Sequence, residues 1–368
     1  MTKAVNGVRA RATLLATLAM LVALTTACSG PGDAVAAAAD GGRRLADVTP
    51  VDDPRTATGP ATAVVADASV RPVTDDPDPQ LPVTVTDAQG TEVTVDDVSR
   101  ILALDVYGTL ARTVFELGLG DRVVGRDVSS GFAEVADRPL VTAGGHDLSA
   151  EAILDLAPTV IVTDTTLGPW DVVLQVREAG IPVVVVDSHR DVNGAPDLVR
   201  QVAAGLGVSD AGEQLAQRTQ AEVEAKVAQI AQVAPADPAD RLRIVFLYVR
   251  GQAGIYYMFG EGSGSGALIE ALGGVDVAHE IGWRGMRPVN DEGLVAASPD
   301  VILMMTDGLT SVGGVDGLLD RLPAIASTPA GERRRIVDMA GSQVLSFGPT
   351  TADVLDALAV ALYAPGRP

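Results

Sequence analysis

The residue types with the clearest chemical potential in this chain lie in one short aromatic stretch. Aromatic residues make up only 3% of the sequence (2 Trp, 5 Tyr and 5 Phe), yet five of them fall between positions 246 and 259. They are Phe246, Tyr248, Tyr256, Tyr257 and Phe259. Arg250 follows Tyr248 by two residues, so both side chains share one face if the chain is extended there. A guanidinium close to a phenol stabilises the phenolate, which is a hard oxygen donor suited to Fe(III), and tyrosine is one of the ligands of haem iron.

A histidine in the first half of the chain is a natural partner for this tyrosine. His146 follows Gly144 and Gly145, and two glycines let the backbone approach a ligand closely. One histidine and one tyrosine from opposite halves could bind a flat metalloporphyrin on its two faces. From the residues alone, a loop histidine, a core tyrosine and a surface arginine remain the alternative interpretations of His146, Tyr248 and Arg250.

Apolar and sulfur-bearing side chains would suit the hydrophobic plane of such a ligand. We therefore expect a cleft lined by Tyr256, Tyr257, Met258, Met304 and Met305. Arg287 is expected either near the propionates of the porphyrin or on a surface loop.

A sequence motif that occurs twice indicates two similar halves of the chain. Residues 149 to 162 and 290 to 303 each combine a polar cap, a glutamate, a short helical stretch, a proline and an apolar strand. Proline cannot continue a helix, and it pushes the preceding residue towards extended geometry. The apolar run after it is typical of a central strand in a parallel sheet. By themselves, the two glutamates (Glu151 and Glu292) are also explained as helix-start residues favoured by the helix dipole.

The elements around these repeats predict an α/β protein with two Rossmann-like lobes joined by a single long helix. The expected N-terminal lobe covers residues 81 to 194, the connecting segment residues 195 to 239, and the C-terminal lobe residues 240 to 368. A helix over residues 209 to 233, with Ser209 as its N-cap, would reach about 37 Å at a rise of 1.5 Å per residue. The cleft between the lobes is the expected ligand site.

Residues 1 to 27 have the positive start and the short apolar run of a secretory signal. Cys28, the only cysteine, follows directly, in a context that looks like a bacterial lipoprotein signal, although Thr25 stands where leucine is usual. The alternative is an ordinary secretory signal with an incidental cysteine. Residues 28 to 80 are rich in Ala, Asp, Pro, Thr and Gly, and we expect a disordered linker because they cannot bury enough apolar surface.

Composition excludes some function classes. The net charge of −21 argues against nucleic acid as a partner and against broad adhesion to anionic lipid. The 3 histidines are widely spaced, which disfavours a transition-metal site built from several ligands. No nucleophile–base pair is visible, so the sequence does not predict an enzyme.

Taken together, these motifs resemble the substrate-binding proteins of ABC importers for iron-siderophores, cobalamin and haem. Gly144-Gly145-His146 and Tyr248-Val249-Arg250 are similar to motifs of the haem-binding lipoproteins of Gram-positive actinobacteria. The resemblance covers residues 81 to 363. It implies a class III periplasmic-binding-protein fold, with two lobes and one connecting helix.

The resemblance also implies roles for individual residues. His146 and Tyr248 would be the axial ligands of the haem iron, and Arg250 would hydrogen-bond to the tyrosine. Glu151 and Glu292 would dock with arginines of the membrane permease, where charged pairs set orientation and association rate.

The implied function is extracytoplasmic capture of haem for iron uptake by an ABC importer. Its implied partners are the permease and ATPase subunits, the cell membrane through a lipid on Cys28, and other haem-binding surface proteins. The nearest alternative is a ferric siderophore or a corrinoid on the same scaffold. An extracellular enzyme is the alternative from a different class.

Overall fold

The computed structural model describes residues 42 to 366. The predicted signal of residues 1 to 27 and Cys28 therefore lie outside the described residues. Residues 42 to 80, expected to be a disordered linker, are ordered and belong to the folded protein. Strand β1 (Ala61–Ala63) pairs in parallel with a strand at Ile336–Met339, and Leu45 and Val65 are buried in the same core. The linker prediction is wrong here because a three-residue strand and isolated apolar residues give no periodic signal, while a sheet edge far along the chain supplies their partners.

The first lobe has a small parallel sheet with helices around it. Its strands are β2 (Val83–Thr86), β3 (Glu92–Val95), β4 (Ile101–Leu104), β5 (Thr142–Ala143), β6 (Asp147–Leu148), β7 (Val160–Thr163) and β8 (Val183–Val185). Its helices are α1 (Thr109–Glu116), α2 (Ala150–Asp155), α3 (Trp170–Glu178) and α4 (Ala195–Gly205). Strands β4, β7 and β8 form the parallel sheet in that order, whereas β2 and β3 form an antiparallel hairpin.

One helix, α5 (Ser209–Ile230), joins the lobes. Its 22 residues give a length of about 33 Å. Leu215 and Ala216 are buried in the first-lobe core, whereas Ile230 is buried in the core of the second lobe. The helix therefore connects both cores, as predicted, although its N-cap is Val208 rather than Ser209. Among the described residues, no helix combines the length and the apolar character needed to cross a membrane.

The second lobe is built on a larger mixed sheet. Its strands are β9 (Arg243–Arg250), β10 (Ile255–Phe259), β11 (Val275–Asp276), β12 (Met286–Pro288), β13 (Val301–Met305) and β14 (Ile336–Met339). Its helices are α6 (Ser265–Ala271), α7 (Val277–Glu280), α8 (Asp291–Ala297), α9 (Thr306–Ser311), α10 (Gly314–Arg321), α11 (Pro329–Glu332), α12 (Gly341–Val344) and α13 (Thr351–Tyr363).

The order of strands in this sheet is β1-β14-β13-β9-β10-β12, and β11 also pairs with β9. Strands β13 and β14 run parallel to β9, as expected for an α/β lobe. Strand β10 instead forms an antiparallel hairpin with β9, and β12 is antiparallel to β10. The aromatic stretch of the sequence is this hairpin.

The two copies of the repeated motif fold in the same way. In the first, the Ser149 hydroxyl accepts a hydrogen bond from the backbone N–H of Ala152 and caps α2. In the second, the Asn290 side chain accepts one from the N–H of Gly293 and caps α8. Each capped helix leads through a proline into a buried strand, β7 or β13, so the repeat predicted two equivalent modules correctly.

Candidate functional site

His146 lies in the turn between β5 and β6 in the first lobe. Gly144 and Gly145 precede it with φ angles of 60° and 105°, which favour glycine and explain this residue pair. The His146 side chain is half-buried, and its Nδ1 atom is buried without a hydrogen-bond partner among the described residues. A buried nitrogen without a partner is costly, so this ring is suited to gaining a ligand or a donor.

Burial lowers the pKa of His146, and the nearby positive charge of Arg250 lowers it further, while Asp147 opposes both effects. A lowered pKa keeps the imidazole neutral near pH 7, and a neutral imidazole has the free lone pair that a metal ligand needs.

Tyr248 and Arg250 lie at the carboxyl end of the central strand β9. The Tyr248 ring is half-buried and stacks on Phe259, with 6.1 Å between ring centroids. Phe259 stacks in turn on Phe246 at 4.9 Å. Strand β9 continues as far as Arg250, so the expected shared face holds, and the guanidinium carbon lies 5.5 Å from the Tyr248 ring centroid. The structure thus places Tyr248 and Arg250 side by side at the end of β9, whereas His146 belongs to the turn of the first lobe.

The side chains around Tyr248 follow from strand register. Tyr257 is directly opposite Tyr248 in the β9–β10 hairpin, so the two rings project from the same face of the sheet. Met305 follows Met304, which pairs with Leu247, and it packs against the same core cluster as Tyr248. Of the expected lining residues, Tyr257 and Met305 therefore share the face of Tyr248.

The other four expected lining residues lie on the opposite face of this sheet. Met258 and Met304 are fully buried in the core on that side, and Tyr256 packs against it. Arg287 is paired with Met258 across β10 and β12 and stacks over the ring of Trp283 at 4.6 Å. These four residues do not share the face of Tyr248, because neighbouring residues of a strand point to opposite faces.

A cavity of about 240 Å³ lies between the lobes, and neither His146 nor Tyr248 is among the residues that line it. The first lobe contributes Thr109 and Phe132 to its wall, and the second lobe contributes Ser342 and Gln343. The Thr109 hydroxyl is buried and has no partner among the described residues, so the wall has both polar and apolar surface.

Sequence reasoning missed a buried group of charges at the same edge of the first lobe. Asp105 follows β4, Asp164 follows β7, and the Arg190 guanidinium reaches both, at 3.7 Å and 2.7 Å. Burial raises the pKa of Asp105 to about 7, with Asp127 adding to the rise and Arg190 opposing it. Burial likewise raises the pKa of Asp127 to about 6. An aspartate directly after a buried strand was the available signal, and this group holds the loops of the first lobe together at the cleft.

The two repeat glutamates lie outside the cleft. Glu151 and Glu292 are exposed in the first turns of α2 and α8. Neither carboxylate forms an ion pair within the part of the chain that the structure describes. They are therefore free to meet a charged surface on another molecule.

An arginine that the sequence reasoning also missed holds the far end of each of these helices. Arg100 donates from Nε to the backbone oxygen of Ala157, at 3.0 Å. Arg243 donates from Nη2 to the backbone oxygen of Ala297, at 3.1 Å. A cation at a helix C-terminus interacts favourably with the helix dipole, so each arginine fixes one repeat helix on its lobe.

Comparisons with known proteins agree with this architecture. The chain is similar to the haem-binding protein HmuT, with 44% identity and a TM-score of 0.79 over 84% of this chain and 99% of that one. HmuT structures also include forms in which an arginine, a histidine or a tyrosine is changed to alanine. The chain is also similar to the apo form of RhuT, a periplasmic haem-binding protein from Roseiflexus sp. RS-1, with 34% identity and a TM-score of 0.66 over 73% of this chain and 99% of that one.

A curated relative has a different ligand in its name. It is a cobalamin-binding protein of Halobacterium salinarum, 29% identical over 276 residues, which are 74% of this chain and 69% of the relative. Residues 106 to 342, more than half of the chain, match the family described as periplasmic binding protein. The chain therefore belongs to the periplasmic binding protein family.

Proposed function

We propose that this protein captures haem between its two lobes and delivers it to the permease of an ABC importer. The observation that carries the proposal is a half-buried His146 whose Nδ1 has no hydrogen-bond partner among the described residues, together with Tyr248 beside Arg250 at the end of β9 in the other lobe. A histidine nitrogen without a partner and a phenol beside a guanidinium are a donor set that fits haem iron. The haem-binding relatives support the same ligand class.

In this proposal His146 and Tyr248 contact the iron from opposite faces of the haem. Arg250 places its positive charge beside the Tyr248 ring, and burial of the His146 ring together with the charge of Arg250 lowers the pKa of the imidazole. The ring of Tyr257 and the side chain of Met305, on the face of Tyr248, provide apolar contacts for the porphyrin plane. The histidine, tyrosine and arginine altered in the HmuT structures are the same three residue types.

Hemin titration of the purified protein, followed by the Soret absorption, tests this proposal. Saturable binding with a shifted Soret band is expected for the natural protein. Tyr248→Phe and His146→Ala should each alter the spectrum and weaken binding, because each removes one ligand. Tyr256→Phe is the matched control, since it removes a phenol from the opposite face of the same sheet and should leave the spectrum unchanged. If the Tyr248→Phe and His146→Ala variants bind hemin with the same affinity and the same Soret spectrum as the natural protein, the ligand assignment is refuted.

A corrinoid is the second candidate, and the cobalamin-binding relative is the observation that favours it. Titration with cyanocobalamin in the presence and absence of hemin separates the two. A haem protein should retain hemin under excess cyanocobalamin, whereas displacement of hemin would favour the corrinoid.

Delivery involves the membrane and a partner. We infer that Cys28 carries the lipid that keeps the protein at the outer side of the cell membrane. Glu151 and Glu292 then present negative charge to basic side chains of the permease, whose ATPase subunits drive uptake. Cys28→Ala should move the protein from the membrane fraction to the medium without changing its haem spectrum. Retention of this variant in the membrane fraction would argue against the lipid anchor.

A further inference from the structure

We propose that each docking glutamate is accompanied by an exposed apolar side chain that contacts the same permease surface. In the first lobe this side chain is Leu154, beside Glu151. In the second lobe it is Val295, beside Glu292. The proposal rests on the transport function proposed above and adds two contact residues to it.

Both apolar residues lie one helical turn after the glutamate of their module. Residues three apart on a helix are neighbours on one face. Leu154 is 40% exposed and Val295 is 52% exposed, which places them among the most exposed large apolar side chains of the described residues. The residues directly before them, Ile153 and Leu294, are fully buried in the cores. Each helix therefore has an inner side that holds it on its lobe and an outer side with one carboxylate and one apolar group.

The modules around these helices match in backbone geometry as well as in sequence. Ala157 and Ser298, which precede the two prolines, have φ angles of 41° and 42°. A positive φ is uncommon for residues other than glycine, and it is costly enough to require support from its surroundings. Arg100 and Arg243 supply that support by donating to the backbone oxygens of these same residues, at 3.0 Å and 3.4 Å. Two helices held so similarly present their outer sides in equivalent ways.

Charge and duplication together identify the partner surface. A single exposed leucine or valine is ordinary in a soluble protein, but the same position is apolar and exposed in both modules. The glutamates make no ion pair within the described residues, so they complement a surface that carries basic side chains. A pair of basic sites flanked by apolar groups on the permease fits both modules. Lipid is a poorer partner, since a net charge of −21 repels anionic membranes.

Binding to the source cell's haem importer, reconstituted in liposomes, tests the proposal. The haem-loaded protein is compared with the double variant Leu154→Ser/Val295→Ser and with Glu151→Gln/Glu292→Gln. Leu174→Ser is the matched control, because Leu174 is 44% exposed on α3 but lies outside both repeats. We expect about a tenfold loss of affinity for the apolar double variant, an unchanged Soret spectrum, and no loss for the control.

Each outcome is decisive. Wild-type affinity in the apolar double variant, with affinity lost in the glutamate variant, overturns the apolar contact and leaves the proposed function standing. An equal loss in Leu174→Ser also overturns it, because exposure rather than position would then matter. An effect of the same size on importer-free liposomes would assign these residues to lipid instead. If the unmodified protein does not bind the importer at all, the proposed function itself fails.

Discussion

Replacing Arg250 by alanine tests the electrostatic part of the proposed haem site. Its guanidinium carbon lies 5.5 Å from the ring centroid of Tyr248, and its charge lowers the pKa of His146. Loss of this charge removes an attraction for the phenolate and makes the imidazole easier to protonate. Both changes weaken iron ligation, so haem affinity should fall, and it should fall more steeply as the pH is lowered.

Coulomb's law gives the size of the effect. If the 5.5 Å between the Arg250 guanidinium carbon and the Tyr248 ring centroid is taken as the separation, two unit charges interact by about 3 kcal/mol at an effective dielectric constant of about 20, and by less than about 1 kcal/mol in bulk water. Arg250 is exposed, and salt screens exposed charges, so the lower part of this range applies. We expect a loss of about 1 kcal/mol at low salt, which is about fivefold in haem affinity, and a smaller loss at 1 M salt.

Hemin titrations at two ionic strengths measure this effect. Arg250→Lys keeps the charge and should recover most of the affinity. Arg321→Ala is a matched control, because an Arg321 nitrogen lies 3.5 Å from the hydroxyl of Tyr256 on the opposite face of the sheet. If Arg250→Ala binds hemin as tightly as the natural protein at low salt, or if Arg321→Ala weakens binding equally, the electrostatic argument is wrong.

Three further predictions concern acid sensitivity and stability. Haem binding should weaken as pH falls through the lowered pKa of His146, because a proton then occupies the ligating lone pair. Hemin titrations at a series of pH values should show this loss of affinity in the natural protein but not in His146→Ala. The folded pKa of Asp105, about 7, is above its ordinary value of 3.8, so the folded state holds a proton that the unfolded chain releases. This contribution to stability therefore falls as pH rises from about 4 to 7. Asp105→Asn should flatten the dependence of the unfolding temperature on pH over that window, and an unchanged slope would contradict the assignment. Leu45→Ala should lower the free energy of unfolding by about 2–5 kcal/mol in denaturant titrations, because Leu45 is only 3% exposed, whereas a flexible tether would show no change.

The sequence predicts best those elements whose signal is local. Helix α13 (Thr351–Tyr363) is one of these, because its long apolar helical pattern gives a clear start and stop. Strand β9, whose apolar run follows Arg243 directly, is another. The sequence singles out His146, Tyr248 and Arg250 because their residue types are chemically distinctive in a chain with few aromatic residues and few histidines, and their role as a haem site stays a prediction.

The side chains that line the cleft could not be predicted from closeness in sequence, because their sheet face depends on strand register. Met304 and Met305 are adjacent, yet one is fully buried behind the sheet and the other faces the side of Tyr248. The same alternation separates Tyr256 from Tyr257. Correct assignment would have needed the register of the β9–β10 hairpin, and β10 itself was not predicted, because its five residues show no polar alternation.

In the repeat modules, a contact with a residue distant in sequence overrides the local backbone preference of the residue before proline. A residue before proline is expected to be extended, and the sequence alone predicts this for Ala157 and Ser298. Both instead take a positive φ. The carbonyl oxygen of each accepts a hydrogen bond from a guanidinium more than fifty residues earlier in the chain, Arg100 at a separation of 57 and Arg243 at a separation of 55. The arginine begins or directly precedes the strand next to the one that follows the proline, so it is in place only once β4 has paired with β7, or β9 with β13. The end of each repeat helix is therefore determined by sheet formation, and replacing either arginine should loosen its own helix while leaving the other unchanged.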